Sequence, residues 1–121
     1  MPKESNRPRR VGHLVQREVA DLIRREVNDP RAKLVTIISV DVTPDLKQAR
    51  VYFTSLDSTA DTKELEKVLN HASGYLHHHL KSRMSLRVVP HLQFIYDESV
   101  ERGSRISALI DRALHKDDST E

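Results

Sequence analysis

The stretch Asp61–Arg83 reads DTKELEKVLNHASGYLHHHLKSR, and its pattern decides the fold. Asp61 followed three residues later by Glu64 fits a capping arrangement, which predicts the start of a helix of about 23 residues. A glycine inside a helix costs roughly 0.5–1 kcal/mol relative to alanine, so Gly74 marks an interruption. The stretch therefore predicts a long helix, bent at Ala72-Ser73-Gly74, with one apolar face made of Leu65, Val68, Leu69, Ala72, Leu76 and Leu80.

Three stretches around this helix read as strands. Leu34 to Val42 is rich in β-branched residues, and Gln48 to Leu56 alternates in polarity. The short turn over residues 43–47 predicts that these two strands form an antiparallel hairpin. Pro90 blocks continuation of the bent helix, and the alternation from His91 to Tyr96 predicts a third strand.

Helices are predicted at both ends of the chain. The first runs from Val11 to Val27, and the last carries Ile106, Leu109, Ile110, Ala113 and Leu114. The resulting order, α-β-β-α(kinked)-β-α, predicts one α+β domain over residues 1–121 with helices packed on a three-stranded sheet. We expect residues 1–9 to form a basic flexible arm and residues 115–121 an acidic flexible tail.

The composition limits the possible classes of protein. The chain has 121 residues and no cysteine, so it is long enough for one domain and has no thiol chemistry. It has no apolar run near the length of about 20 residues that a membrane-spanning helix needs. Its N-terminus is polar and basic, unlike a signal peptide. These features predict a cytoplasmic protein without a membrane segment, and we expect a monomer.

Charge is segregated along the chain. Residues 67–96 contain no aspartate or glutamate but carry Lys67, Lys81, Arg83, Arg87 and five histidines. At about 100° per residue, one face of the bent helix presents Lys67, His71, Gly74, His78 and Lys81. A stripe on the first helix repeats Arg10, Arg17 and Arg24 every seven residues. Most charged helix faces are only solvated surface, but they usually mix signs, and this one does not. It favours an anionic partner, with nucleic acid first.

The bent helix offers a site for a phosphodiester backbone. Basic side chains, backbone N–H groups and helix N-termini are the usual phosphate ligands. We expect Gly74 to have a positive φ or to let RNA approach closely. The candidate RNA-binding residues are Arg10, Arg17, Arg24, Lys67, His71, Ala72, Ser73, Gly74, His78, Lys81, Arg83 and Arg87.

Metal binding and catalysis find little support. His77, His78 and His79 diverge by about 100° each on a helix, so they do not converge on one ion. No glycine-rich phosphate loop and no activated nucleophile motif is present. Aspartates at strand ends are explained by turns and caps. The sequence therefore predicts no cofactor, no metal and no catalytic residue.

The element order resembles the type II KH fold, although this chain has no GxxG loop. In its place stands Ala72-Ser73-Gly74, the A-x-G interruption typical of the ribosome-binding factor A family. Further stretches are similar to that family, and the likeness covers residues 7–114. They are Arg7-Pro8-Arg9-Arg10-Val11, Glu26-Val27-Asn28-Asp29-Pro30-Arg31, Ser39-Val40-Asp41-Val42-Thr43-Pro44-Asp45-Leu46, Ala49-Arg50-Val51-Tyr52 and Leu86-Arg87-Val88-Val89-Pro90-His91-Leu92-Gln93-Phe94-Ile95-Tyr96-Asp97.

The resemblance implies a non-catalytic assembly factor that binds the small (30S) ribosomal subunit and assists late maturation of 16S rRNA. It also implies a role in cold adaptation. One departure is His77-His78-His79, where the family often has basic residues, typically arginine. The alternatives are a KH-like module on another structured RNA, a protein–protein adaptor and an rRNA-processing hydrolase.

Overall fold

The computed structural model describes residues 2–57, 59–99 and 109–114, with side chains from residue 7 onward. Its helices include α1 (Pro2–Glu26), α2 (Thr62–His71) and α3 (Ser73–Arg83). Its strands are β1 (Val35–Val42), β2 (Gln48–Ser55) and β3 (His91–Tyr96), and a 3₁₀ turn spans Pro30–Leu34. The predicted α+β order is confirmed over these elements.

The three strands form one mixed sheet in the order β1-β2-β3. The predicted hairpin is confirmed, because β1 and β2 pair antiparallel, with a bulge between Ile37 and Ser39. The pair β2 and β3 is parallel, with Val51 opposite Phe94. A parallel pair needs a long crossover, which the bent helix provides.

The helices cover one face of the sheet. The helix α1 packs on β1 and α3, while α2 and α3 pack on β3. Apolar residues buried between the layers are Val11, Val15, Val19, Leu22, Ile23, Ala49, Val51, Phe53, Leu65, Leu69, Leu76, Leu80, Leu92 and Phe94. Alternation placed Ala49, Val51 and Phe53 on one face of β2, and all three are fully buried.

The bent helix breaks at Ala72. Ala72, with φ −84° and ψ −4°, is both the C-terminal cap of α2 and the N-terminal cap of α3. The hydroxyl of Ser73 donates a 2.7 Å hydrogen bond to the carbonyl oxygen of Asn70, which satisfies one acceptor at the end of α2. The expectation of a positive φ at Gly74 is wrong, because Gly74 has ordinary helical geometry in the first turn of α3. The bend therefore does not depend on glycine's conformational freedom.

Two side chains of α2 bond to the backbone of β3. The Asn70 side chain accepts from the Phe94 amide at 2.8 Å and donates to the Phe94 carbonyl at 2.8 Å. The Glu66 carboxylate accepts from the Tyr96 amide at 2.8 Å. The strand β3 lies at an edge of the sheet, where backbone groups lack a strand partner. These contacts satisfy part of that edge and fix α2 against it.

At both ends of the chain the structure describes helical segments. Residues 2–9, which we expect to form a flexible arm, are helical and continue α1. Pro8 lies inside this helix, where it lacks an N–H donor and its ring crowds the carbonyl four residues earlier. Residues 109–114 are helical, but Leu109, Ile110 and Leu114 are more than half exposed, so this apolar face is not packed on the sheet. Ser99 is helical, whereas residues 100–108 and the predicted tail at 115–121 lie outside the described residues.

Candidate nucleic-acid interface

One continuous exposed surface crosses the break between α2 and α3. Lys67 and His71 lie on α2, Gly74, His78 and Lys81 lie on α3, and all five residues are exposed. We call these five residues the kink face. Within the part of the chain that the structure describes, neither Lys67 nor Lys81 makes an ion pair within 4.0 Å. The charge of the kink face is therefore available to a partner.

The first turn of α3 adds backbone donors to the kink face. By helix geometry, the N–H groups of Ser73, Gly74 and Tyr75 have no partner inside α3. Ala72 is the residue before this turn and provides no side-chain cap. A Cβ built on Gly74 would have no heavy atom within 4 Å, so the space outside its backbone is open. An anion can thus approach the positive end of the α3 dipole between flanking basic side chains.

The three consecutive histidines point in different directions, as helical geometry predicts. Only His78 is exposed on the kink face. His77 is 8% exposed, its Nε2 lies 3.0 Å from the Val89 carbonyl oxygen, and its ring stacks on His91 with centroids 4.1 Å apart. His79 is partly buried and turns toward α1. Neither His77 nor His79 therefore belongs to the kink face.

His79 and Tyr75 contact α1 instead. The Tyr75 hydroxyl donates to Glu26 Oε2 at 3.1 Å, and this hydrogen bond raises the pKa of Tyr75. His79 Nε2 lies 4.0 Å from the same oxygen, and the two rings meet edge to face at 4.4 Å. Glu26 was not among the predicted site residues, because its partner Tyr75 is 49 positions further along the chain.

Arg83 differs from the other predicted RNA-binding residues. Its guanidinium donates to Asp21 Oδ2 at 2.6 Å and to Glu18 Oε2 at 3.2 Å. The hydrogen bond from Arg83 lowers the pKa of Asp21. Both acids lie on α1, so the structure places Arg83 in the junction between α1 and α3. Its charge is paired there and it is not part of the kink face, so a contact between Arg83 and RNA stays a prediction.

The remaining predicted arginines lie away from the kink face. Arg10, Arg17 and Arg24 are exposed along α1, and Arg87 is exposed in the segment after α3. The side chain of Arg17 is 73% exposed and only 3.7 Å from Glu18, which is a weak surface pair. None of the four arginines is part of the kink face.

Two structural properties bear on other classes of function. Over residues 2–57, 59–99 and 109–114, no three histidine, aspartate or glutamate side chains come close enough to hold a metal ion. In the same residues no helix combines the length and apolar character needed to cross a membrane.

Comparison with known proteins gives the context for this surface. Residues 7–110 match the family model for ribosome-binding factor A. The ribosome-binding factor A of Nitrosococcus oceani is 55% identical over 117 residues, covering 97% of this chain and 92% of that protein. The crystal structure of ribosome-binding factor A from Thermus thermophilus is similar with a TM-score of 0.64 and 24% identity, covering 74% of this chain and 94% of that one.

A further similar structure places a relative on its partner. It is a homology model of the Thermus thermophilus ribosome binding factor A, fitted into the cryo-EM map of its complex with 30S. The TM-score is 0.60 with 24% identity, and the match covers 72% of this chain and 91% of that one. At that identity the likeness concerns the fold.

Proposed function

Because this chain belongs to the ribosome-binding factor A family, we propose that it binds the small (30S) ribosomal subunit through 16S rRNA and acts in ribosome assembly. The kink face is the proposed contact, and it is the observation on which the proposal rests. Lys67 and Lys81 supply unpaired charge on either side of the open first turn of α3. A 30S complex of the Thermus thermophilus relative supports the choice of partner.

The arrangement suits a phosphate backbone better than a protein partner. A protein adaptor should expose apolar side chains on an outer helix face, whereas the kink face carries only basic residues, histidines and a glycine. Phosphate ligands are Lys and Arg side chains and backbone N–H groups, and the kink face offers lysines and amides together. Contacts of this kind position a protein on RNA by shape and charge.

The finer parts of the proposal go beyond family membership. The protein assists late maturation of 16S rRNA as a monomer in the cytoplasm, with a role in cold adaptation. It contributes binding and no catalytic step, since positioning on rRNA needs charge and shape alone. Ala72, Ser73 and Gly74 shape the contact through the backbone, because the Ser73 hydroxyl is already bonded to Asn70.

Co-sedimentation with purified small subunits tests the proposal. We expect binding that weakens steeply with salt, because neutralised phosphates release counterions. The Lys67→Gln/Lys81→Gln variant should bind more weakly and reduce the slope of log affinity against log salt by about 1 per lysine. The matched control is Lys33→Gln/Lys47→Gln, which removes the same charge from exposed positions outside the kink face.

Three results would contradict the proposal. One is equal binding at low and high salt, and another is preference for the large subunit. The third is equal loss of affinity in both double variants, which would mean that only net charge matters and that the kink face is ordinary solvated surface. Binding to a different structured RNA but not to 30S subunits would favour a KH-like module with another target.

A further inference from the structure

A groove between α1 and the C-terminal end of α3 is lined by apolar and basic residues. Leu14 of α1 is 39% exposed, whereas the apolar residues Val11, Val15 and Val19 of the same helix are buried. Two depressions have Leu14 and Arg17 in their lining. One depression, of about 270 Å³, also contacts Met84 and Leu86, and the other, of about 310 Å³, is bounded by Arg10 and His13. We call this feature the Leu14 groove.

The rim of the Leu14 groove is positively charged. Arg10 and Arg17 are exposed, and Arg17 lines both depressions. Glu18 is the single acid among the lining residues, and it is paired with Arg83 at 3.2 Å. The groove thus offers apolar surface at its centre and arginine charge at its edge.

The Leu14 groove is distinct from the kink face. It contacts the segment that follows the C-terminal end of α3, whereas Gly74 lies at the start of α3. Met84 is ten positions after Gly74, which corresponds to about 15 Å along a helix. No residue of the kink face lines the groove. A ligand in the groove would therefore be an additional contact.

We propose that the Leu14 groove binds an unpaired nucleotide of RNA, with the base against Leu14 and Leu86 and the phosphate at Arg10 and Arg17. The inference rests on the proposed function in taking RNA as the partner and adds the kind of RNA. A duplex buries its bases by pairing and stacking, so it presents phosphates but no free base to an apolar groove. An unpaired nucleotide presents both. Proteins that bind single strands combine a basic groove with contacts to the faces of the bases, usually from aromatic rings or arginine planes. In the Leu14 groove the leucines would supply the contact to the base, and Arg10 and Arg17 the basic charge.

The arginine rim fits an anionic partner. Guanidinium groups bind phosphate and carboxylate alike with two parallel hydrogen bonds, but an unpaired nucleotide also brings a base to the apolar lining, which an acidic side chain does not. The positive charge also continues beyond the groove to Arg24 on the same side of α1. Arg10, Arg17 and Arg24 follow at intervals of about 10.5 Å, which suits an extended polyanion.

The absence of tryptophan from the chain makes the groove easy to probe. The Leu14→Trp variant carries a single tryptophan, and stacking of a base on it quenches its fluorescence. We expect strong quenching by a ten-nucleotide oligouridine and little by a duplex RNA at equal phosphate concentration. Adding Arg10→Gln and Arg17→Gln should remove the quenching. Leu56→Trp is the matched control, because Leu56 is 74% exposed beyond the end of β2 and outside the groove.

A second measurement avoids a newly introduced aromatic ring. Fluorescence anisotropy of labelled oligouridine should show several-fold weaker binding to Leu14→Ala than to Leu56→Ala, with thermal melts confirming that both variants fold. Equal affinities would overturn the inference, as would equal quenching by duplex and single strand. Quenching by a polyglutamate peptide but not by oligouridine would overturn it in favour of a protein partner.

The same variants separate this inference from the proposed function. If Leu14→Trp sediments with small subunits but oligouridine does not quench it, the Leu14 groove is not an RNA site and the kink face is unaffected. If the wild-type protein itself fails to sediment with small subunits, the proposed function fails first.

Discussion

Gly12 of α1 lies so close to Val40 of β1 that a Cβ atom built on it would be 2.9 Å from the carbonyl oxygen of Val40. The neighbour is backbone of a paired strand, since Val40 is opposite Val51 in the hairpin. A backbone atom in a sheet yields less readily than the end of a flexible side chain. The closeness of α1 to the sheet therefore depends on the absence of a side chain at residue 12.

Gly12→Ala is expected to destabilise the protein. Overpacking costs about 1–3 kcal/mol, which exceeds the gain of about 0.5–1 kcal/mol from replacing a helical glycine by alanine. Urea unfolding followed by circular dichroism measures the difference. A variant as stable as the wild type would show that α1 can shift away from β1 without cost.

Gly74→Ala, in contrast to Gly12→Ala, is expected to stabilise the folded protein. Gly74 has helical geometry and open space around its Cβ position, so alanine should stabilise by about 0.4–1 kcal/mol through the unfolded chain. The same methyl group lies where RNA is proposed to approach, so binding to small subunits should weaken. Lower stability of this variant would contradict the observed geometry. Unchanged binding would remove Gly74 from the contact.

Arg83→Gln and Lys81→Gln should have different effects although both remove one positive charge. Arg83 joins Glu18 and Asp21 across the α1–α3 junction, so its loss leaves two partly buried acids without this partner and should lower the thermal midpoint. Lys81 is exposed on the kink face, so its loss should weaken binding to small subunits and leave the midpoint unchanged. If Arg83→Gln weakened binding without lowering the midpoint and Lys81→Gln lowered the midpoint without weakening binding, the roles assigned to these two residues would be contradicted.

Asn70→Ala is expected to destabilise by about 1–3 kcal/mol, because both backbone groups of Phe94 lose a partner at the sheet edge. Thermal or urea unfolding measures the loss. The matched control is Lys63→Ala, which truncates an exposed side chain in the same helix. Equal stability of the two variants would show that water replaces the Asn70 side chain.

Asp29 should make stability depend on pH in the acid range. Hydrogen bonds from Arg31 lower the pKa of Asp29 from 3.8 to about 2. Since the folded-state pKa is lower, the stabilisation is fully present above about pH 4 and is lost as the pH falls through about 2. The Asp29→Asn variant should be less stable than wild type at pH 7, and the difference should shrink between these values.

A double-mutant cycle gives the control for this pair. Arg31→Gln should make the Asp29→Asn change nearly neutral, because both substitutions remove the same contact. A pH-independent difference between wild type and the Asp29→Asn variant would mean that the Asp29–Arg31 contact does not stabilise the folded state.

Local pattern was sufficient for the three strands and for the faces of the bent helix. Leu65, Leu69, Leu76 and Leu80 are fully buried as their spacing predicts, and the kink-face residues on the opposite side are exposed. This works because both periodicities, 3.6 for a helix and 2 for a strand, are properties of neighbouring residues. The parallel pairing of β2 and β3 depends on residues that are distant along the chain, so local pattern did not predict it. A long helix between two strands only permits that arrangement.

Tertiary packing decided which charged groups remain available to a partner. Arg83 and Lys81 are two residues apart in an acid-free segment. Glu18 and Asp21 nevertheless contact Arg83 and not Lys81, because α1 packs along the side of α3 that carries Arg83. The same packing turns His79 toward Glu26, whereas the segment before β3 covers His77, which lies against Val89 and His91. Sequence determined the charge on each helix through residue identity and periodicity. Only the folded structure determined which charges are neutralised, because ion pairs and steric contacts act over a few ångströms between residues that are distant along the chain.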